Sequence, residues 1–167
     1  MKNNTRKLTC LALTVSFAMV LSYIESRIPA FVAIPGIKVG LANIAVIFTL
    51  YKLGVKEAAT VSVVRVLLIS MLFGNPVSLI YSLTGAAFSF VAMLLLKRFT
   101  PLGEVAVSVC GGVLHNIGQT LMAWLLLDTA AVAYYLPFLV LSGTVSGIAI
   151  GIAAGIMIGR VDIGKVR

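Results

Sequence analysis

Residues 104–127 read EVAVSVCGGVLHNIGQTLMAWLLL, a run that opens on one charge, Glu104, and carries none after it. At 1.5 Å per residue a helix of this length measures about 36 Å, enough to cross a hydrocarbon core of ~30 Å. Its middle is nonetheless polar. His115 and Gln119 stand four residues apart and share one helix face, while Asn116 points about 100° away around the axis. Polar and ionisable side chains at that depth mark a ligand path or cavity more often than they mark nothing.

Working outward, a second apolar run carries a sharper anomaly, Arg65, within Val63-Val64-Arg65-Val66-Leu67. An arginine at the centre of a membrane helix costs about 2.5–3.5 kcal/mol on insertion scales. No Asp or Glu lies within the core of any apolar run to neutralise it. An anionic ligand, a cluster of carbonyls or water is expected to do so.

The whole chain repeats this pattern. Its 167 residues are 60% hydrophobic and 11% charged, with a mean hydropathy of +1.12, the composition of an integral membrane protein. Apolar runs bounded by charge, Gly or Pro give six spans at 8–24, 41–53, 56–73, 77–96, 104–127 and 133–159. No run alternates with the period-2 pattern of a membrane barrel. The expected fold is therefore all-α: a polytopic six-helix transmembrane bundle forming a single membrane domain over 1–167. The second span is the weak one, because 13 residues reach only about 20 Å. It is expected to lean on the preceding loop, where Pro29, Pro35, Gly36 and Gly40 break a helix around the apolar Phe31-Val32-Ala33-Ile34.

With 13 Lys+Arg against 5 Asp+Glu, a soluble chain would suggest nucleic acid, but these bases flank the apolar runs. Six spans place Lys2, Arg6, Lys7, Lys52, Lys56, Lys97, Arg98, Arg160, Lys165 and Arg167 on one side, and Arg27 and Lys38 on the other. The positive-inside rule then puts both termini in the cytoplasm. The basic N-terminus imitates a signal peptide, yet Glu25-Ser26-Arg27-Ile28-Pro29 offers no small-residue cleavage site. Cys10 and Cys110 are isolated within apolar segments and indicate neither a disulfide nor a zinc site.

Under that topology Arg65, His115 and Gln119, with Asn43 and Lys38, gather toward the outer half of the bundle and form the candidate ligand site. The bland alternative is that the asparagines, His115 and Gln119 are interhelical hydrogen-bond glue, each worth well under ~2 kcal/mol. No nucleotide-binding, zinc-protease or serine-hydrolase motif is present, and the only aspartates are Asp128 and Asp162. Diphosphate chemistry with Mg²⁺ needs clustered carboxylates. Five scattered acids do not supply them, so no catalytic residue and no metal ligand is expected, and no cofactor is indicated.

The last span has a regularity of its own, Gly143, Gly147, Gly151, Gly155 and Gly159 at every fourth position. A ridge without side chains lets another backbone approach closely. It reads first as packing within the monomer and alternatively as a docking face for a partner subunit. Weaker small pairs are Ala12 with Ser16 and Ala58 with Ser62.

Three segments carry a family resemblance: Pro35-Gly36-Ile37-Lys38-Val39-Gly40-Leu41-Ala42-Asn43, the stretch around Arg65, and Leu114-His115-Asn116-Ile117-Gly118-Gln119. Over residues 8–160 the chain resembles the bacterial membrane family labelled heptaprenyl diphosphate synthase component I, also called the Gx transporter family. That family is similar to the substrate-binding S components of energy-coupling-factor (ECF) transporters, six-helix proteins that bind small molecules near the outer face. The resemblance implies a membrane-embedded binding component for a small, anionic molecule, with a coupling subunit and ATPases as partners. Its label implies instead an accessory subunit beside a soluble prenyl synthase, and relatives linked to flavin and quinone electron transfer offer a third reading. Where S components typically show Ala-xxx-Ala docking pairs, this chain has Ala12/Ser16 and Ala58/Ser62.

Overall fold

Each apolar run becomes a helix, and helices consecutive in the chain run in opposite directions. The computed structural model describes residues 2–27 and 40–162. Within them α1 spans Lys2–Arg27, α2 Asn43–Lys52, α3 Val55–Phe73, α4 Pro76–Phe99, α5 Glu104–Leu127 and α6 Leu136–Arg160, with a short 3-10 helix, Ala130–Tyr135, leading into α6. No strand occurs among the described residues. Four stretches, Thr5–Arg27, Pro76–Phe99, Glu104–Leu127 and Ala131–Arg160, are long and apolar enough to cross a bilayer. The protein is an all-α membrane bundle.

The remaining two helices depart from simple spans, each for a visible reason. α3 has 19 residues and includes Lys56, Glu57 and Arg65. α2 has only 10 residues, about 15 Å of rise, so it covers half of a hydrocarbon core. Ala45, Val46, Ile47, Thr49 and Leu50 are each at most 1% exposed, which makes α2 a short rod enclosed by the other helices. The last turn of a helix leaves carbonyls without a partner inside the helix. The Lys97 ammonium of α4 answers this by donating to the Leu50 carbonyl while lying 4.5 Å from the centre of the Tyr51 ring. The loop 28–39, expected to support this span, lies outside the described residues.

Turn chemistry sets the hairpins. Gly54, at φ +134, turns α2 into α3. Asn75 caps α4, its side-chain oxygen accepting from the Ser78 N–H at 2.7 Å, with Pro76 in the first turn where no N–H is missed. Asp128 closes α5 in the left-handed region.

Glycine decides how α4, α5 and α6 pack. A Cβ on Gly112 would fall 2.6 Å from the Gly143 carbonyl oxygen, one on Gly147 2.6 Å from Val109 Cα, and one on Gly151 2.6 Å from Val105 Cα. The first three ridge glycines therefore seat α6 on the backbone of α5, the packing alternative raised by their spacing. A Cβ on Gly155 or Gly159 meets nothing within 4 Å, so the ridge meets two different surroundings along its length. Ala58 and Ser62 are buried, whereas Ala12 and Ser16 are exposed.

Candidate functional site

Alternation of helix direction brings the C-terminal ends of α1 and α3 and the N-terminal ends of α2 and α4 to one end of the bundle. A cavity opens there. It encloses about 370 Å³ when space open to the outside is counted, of which only about 20 Å³ is available to the centres of water molecules. That is room for about one or two waters, so the site is narrow. Four helices and the residue Gly40 line it: Ser22 and Glu25 from α1, Gly40 ahead of α2, Arg65, Val66, Ile69 and Ser70 from α3, Ser82 from α4, and His115 from α5.

Arg65 is 6% exposed and donates from Nη2 to the Asn43 side-chain oxygen at 2.8 Å. Asn43 itself opens α2 and is 5% exposed, so the short helix is tied to α3 at its first residue. Arg65 Nε has no hydrogen-bond partner among the described residues. The expectation that no carboxylate would face Arg65 is corrected here: the Glu25 carboxylate, 6% exposed, lines the same cavity, and its charge acts on Arg65. α1 runs on past the apolar stretch to Arg27 and carries Glu25 inward with it. Glu25 also accepts a hydrogen bond from the Gly40 backbone N–H, which joins the end of α1 to the start of α2.

His115 is 5% exposed. It reaches the cavity because Gly85 of α4 leaves space beside it: a Cβ on Gly85 would stand 3.1 Å from His115 Cε1 and 2.7 Å from Gln119 Cγ. Gln119, fully buried, thus fills the α4–α5 interface one turn along from His115 and is not among the residues lining the cavity. Asn116 serves as interhelical glue, donating to the Leu139 carbonyl of α6 at 2.7 Å. Lys38 lies outside the described residues. Of the expected site residues, Arg65, His115 and Asn43 come together.

Ser22, Ser70 and Ser82 were missed. Ser70 Oγ and Ser82 Oγ are buried and have no hydrogen-bond partner among the described residues. An unsatisfied buried hydroxyl costs about 1–3 kcal/mol, a cost that a polar molecule in the cavity would offset. The missed signal was periodicity: Thr14, Ala18, Ser22 and Glu25, all buried, form one stripe at helical spacing. Reading that stripe inward would have placed Ser22 and Glu25 with Arg65. Among the described residues no three His, Cys, Asp or Glu side chains group as metal ligands would.

Comparison with curated proteins and with solved structures gives no match. Comparison with protein families does: residues 14–157, from the fourth turn of α1 to the last turn of α6, match the family described as heptaprenyl diphosphate synthase component I. The match takes in every helix that lines the cavity, and the chain belongs to this heptaprenyl diphosphate synthase component I family.

Proposed function

We propose that this protein is the membrane-embedded substrate-binding component of an ECF-like transporter, lying in a bacterial cytoplasmic membrane with both termini in the cytoplasm. One observation carries the reading: a narrow cavity at one end of an apolar bundle, lined by an arginine, a glutamate, a histidine and buried serines. Protein interiors in lipid seldom hold so many polar groups without a use for them. The lysines and arginines concentrate at the opposite end, so the cavity opens on the outer side, where a substrate arrives. Its ligand is a small polar molecule. The sequence argument for an anion rested on an Arg65 without a counter-charge, and Glu25 now occupies that place.

The family description favours a second reading, in which the chain is a non-catalytic membrane partner of a separate prenyl diphosphate synthase component. Copurification separates the two. ATPase subunits travelling with the protein support transport, and a soluble prenyl synthase in their place supports the accessory role. The ligand site is tested by mass spectrometry of small molecules released from the purified chain. A molecule enriched with the wild type and lost with Arg65→Ala is the expected result, and equal recovery from both would remove Arg65 from the site.

A further inference from the structure

We propose that the cavity, as it stands, binds water, as one molecule or a hydrogen-bonded pair held by the Ser70 and Ser82 hydroxyls and the Arg65 Nε–H, and that this water joins α3 to α4. The inference goes beyond the transport reading and does not depend on it. Three buried polar atoms carry it. Ser70 is 8% exposed, Ser82 7% and Arg65 6%, all three residues line the cavity, and Ser70 Oγ, Ser82 Oγ and Arg65 Nε have no hydrogen-bond partner among the described residues. A buried polar atom in that state bears the full cost of its lost hydration.

The two serines depart from the habit of the chain. Thr49, Thr84 and Thr120 each donate to the carbonyl four residues earlier in their own helix, the usual way for a hydroxyl to satisfy itself in an apolar helix. Ser70 and Ser82 do not. Arg65 is equally constrained, because its Nη2 is committed to Asn43 at 2.8 Å and Nε cannot turn elsewhere without breaking that bond. Size then selects the ligand. A water site needs about 10–15 Å³ for the water centre and about two to four polar partners, and this cavity offers about 20 Å³ beside three such atoms. Water also fits the donor inventory: its oxygen accepts from the Arg65 Nε–H, and its hydrogens go to the two serine oxygens. A bridge of this kind is nearly as favourable as a direct hydrogen bond. A substrate must therefore displace this water, and one larger than the space requires the surrounding helices to part.

A high-resolution crystal structure of the intact chain, together with thermal unfolding in detergent without added substrate, tests the assignment. Density is expected within hydrogen-bond distance of Ser70 Oγ, Ser82 Oγ and Arg65 Nε, with no anomalous signal when bromide replaces chloride. Ser70→Ala and Ser82→Ala should each lower the Tm by about 2–4 °C, the shift that loss of one ordinary hydrogen bond produces in a chain of this length. The double variant should fall by less than the sum, because both changes remove support from the same water. Ser89→Ala is the control. Ser89 stands on α4 with Ser82, is 1% exposed and has an equally unpartnered hydroxyl among the described residues, but it does not line the cavity. Its loss should leave the Tm unchanged or raise it. An unchanged or higher Tm in Ser70→Ala and Ser82→Ala would show that the hydroxyls are dry, and strictly additive losses would show that nothing connects them; either ends the proposal. So would a fall in Ser89→Ala as large as in the other two, or hydroxyls turned back onto their own helices beside an empty cavity. A bromide signal at the site would put a halide in place of water. The ligand-site reading is decided separately, by the molecule released from the purified chain.

Discussion

Arg65 is the residue on which the site turns, because its guanidinium is buried, tied to Asn43 on one side and faced by Glu25 on another. Arg65→Lys keeps the charge but loses the planar fork, so it should not restore ligand recovery to the wild-type level. Ligand retention measured by mass spectrometry for Arg65→Lys beside Arg65→Ala checks this, and full recovery in the lysine variant would show that charge alone is recognised. Asn116 makes the contrasting case. Its hydrogen bond to the Leu139 carbonyl joins α5 to α6 away from the cavity, and interhelical bonds of this kind contribute about 0.6 kcal/mol on average in a membrane. Asn116→Ala should lower the unfolding temperature slightly and leave ligand retention intact. His115 and Asn116 are sequence neighbours with different destinations because successive residues on a helix point about 100° apart.

Among the elements, α6 is the most informative because one sequence pattern serves two environments. Gly151 faces Val105 Cα at a distance where a Cβ cannot sit, while Gly155, one turn on, faces open space. Gly151→Leu should therefore destabilise the isolated monomer, by the ~1–3 kcal/mol or more that overpacking costs. Gly155→Leu should leave monomer stability unchanged. If Gly155 belongs to a docking face, that same variant loses its partner subunit on copurification, and if it retains the partner the free end of the ridge has no docking role. α2 shows the complementary lesson. Ten residues cannot cross a bilayer, yet the helix is stable because neighbours enclose it and Lys97 meets its C-terminal carbonyl at Leu50. Lys97→Met retains the apolar stem but removes that donor, and a lower unfolding temperature is expected with the bundle otherwise intact.

At the scale of the whole molecule, the hairpins at 100–103 and 128–135 lie at opposite ends of α5, and the basic residues gather toward the first. With Cys10 and Cys110 replaced, a single cysteine at Thr100 should be shielded from an impermeant thiol reagent in intact cells, and one at Thr129 should react. The reverse pattern would invert the bundle and move the cavity to the cytoplasmic side. The all-helical class, the membrane setting, the approximate helix bounds and the prominence of Arg65 and His115 were legible in the sequence, because hydropathy is a local property and a buried charge stands out in an apolar run. Contacts were not. Glu25 lay just past an apolar run and read as an end-of-span charge, until the continuation of α1 and its packing against α3 brought it to the cavity that Arg65 lines. Ser70 and Ser82 looked like ordinary serines of α3 and α4, and Gln119 looked like a partner of His115 in the site. Whether a polar side chain faces a cavity, a neighbouring helix or lipid depends on rotation and packing between segments far apart in the chain. Spacing along one helix specifies which residues share a face, and only the tertiary structure decides what that face meets.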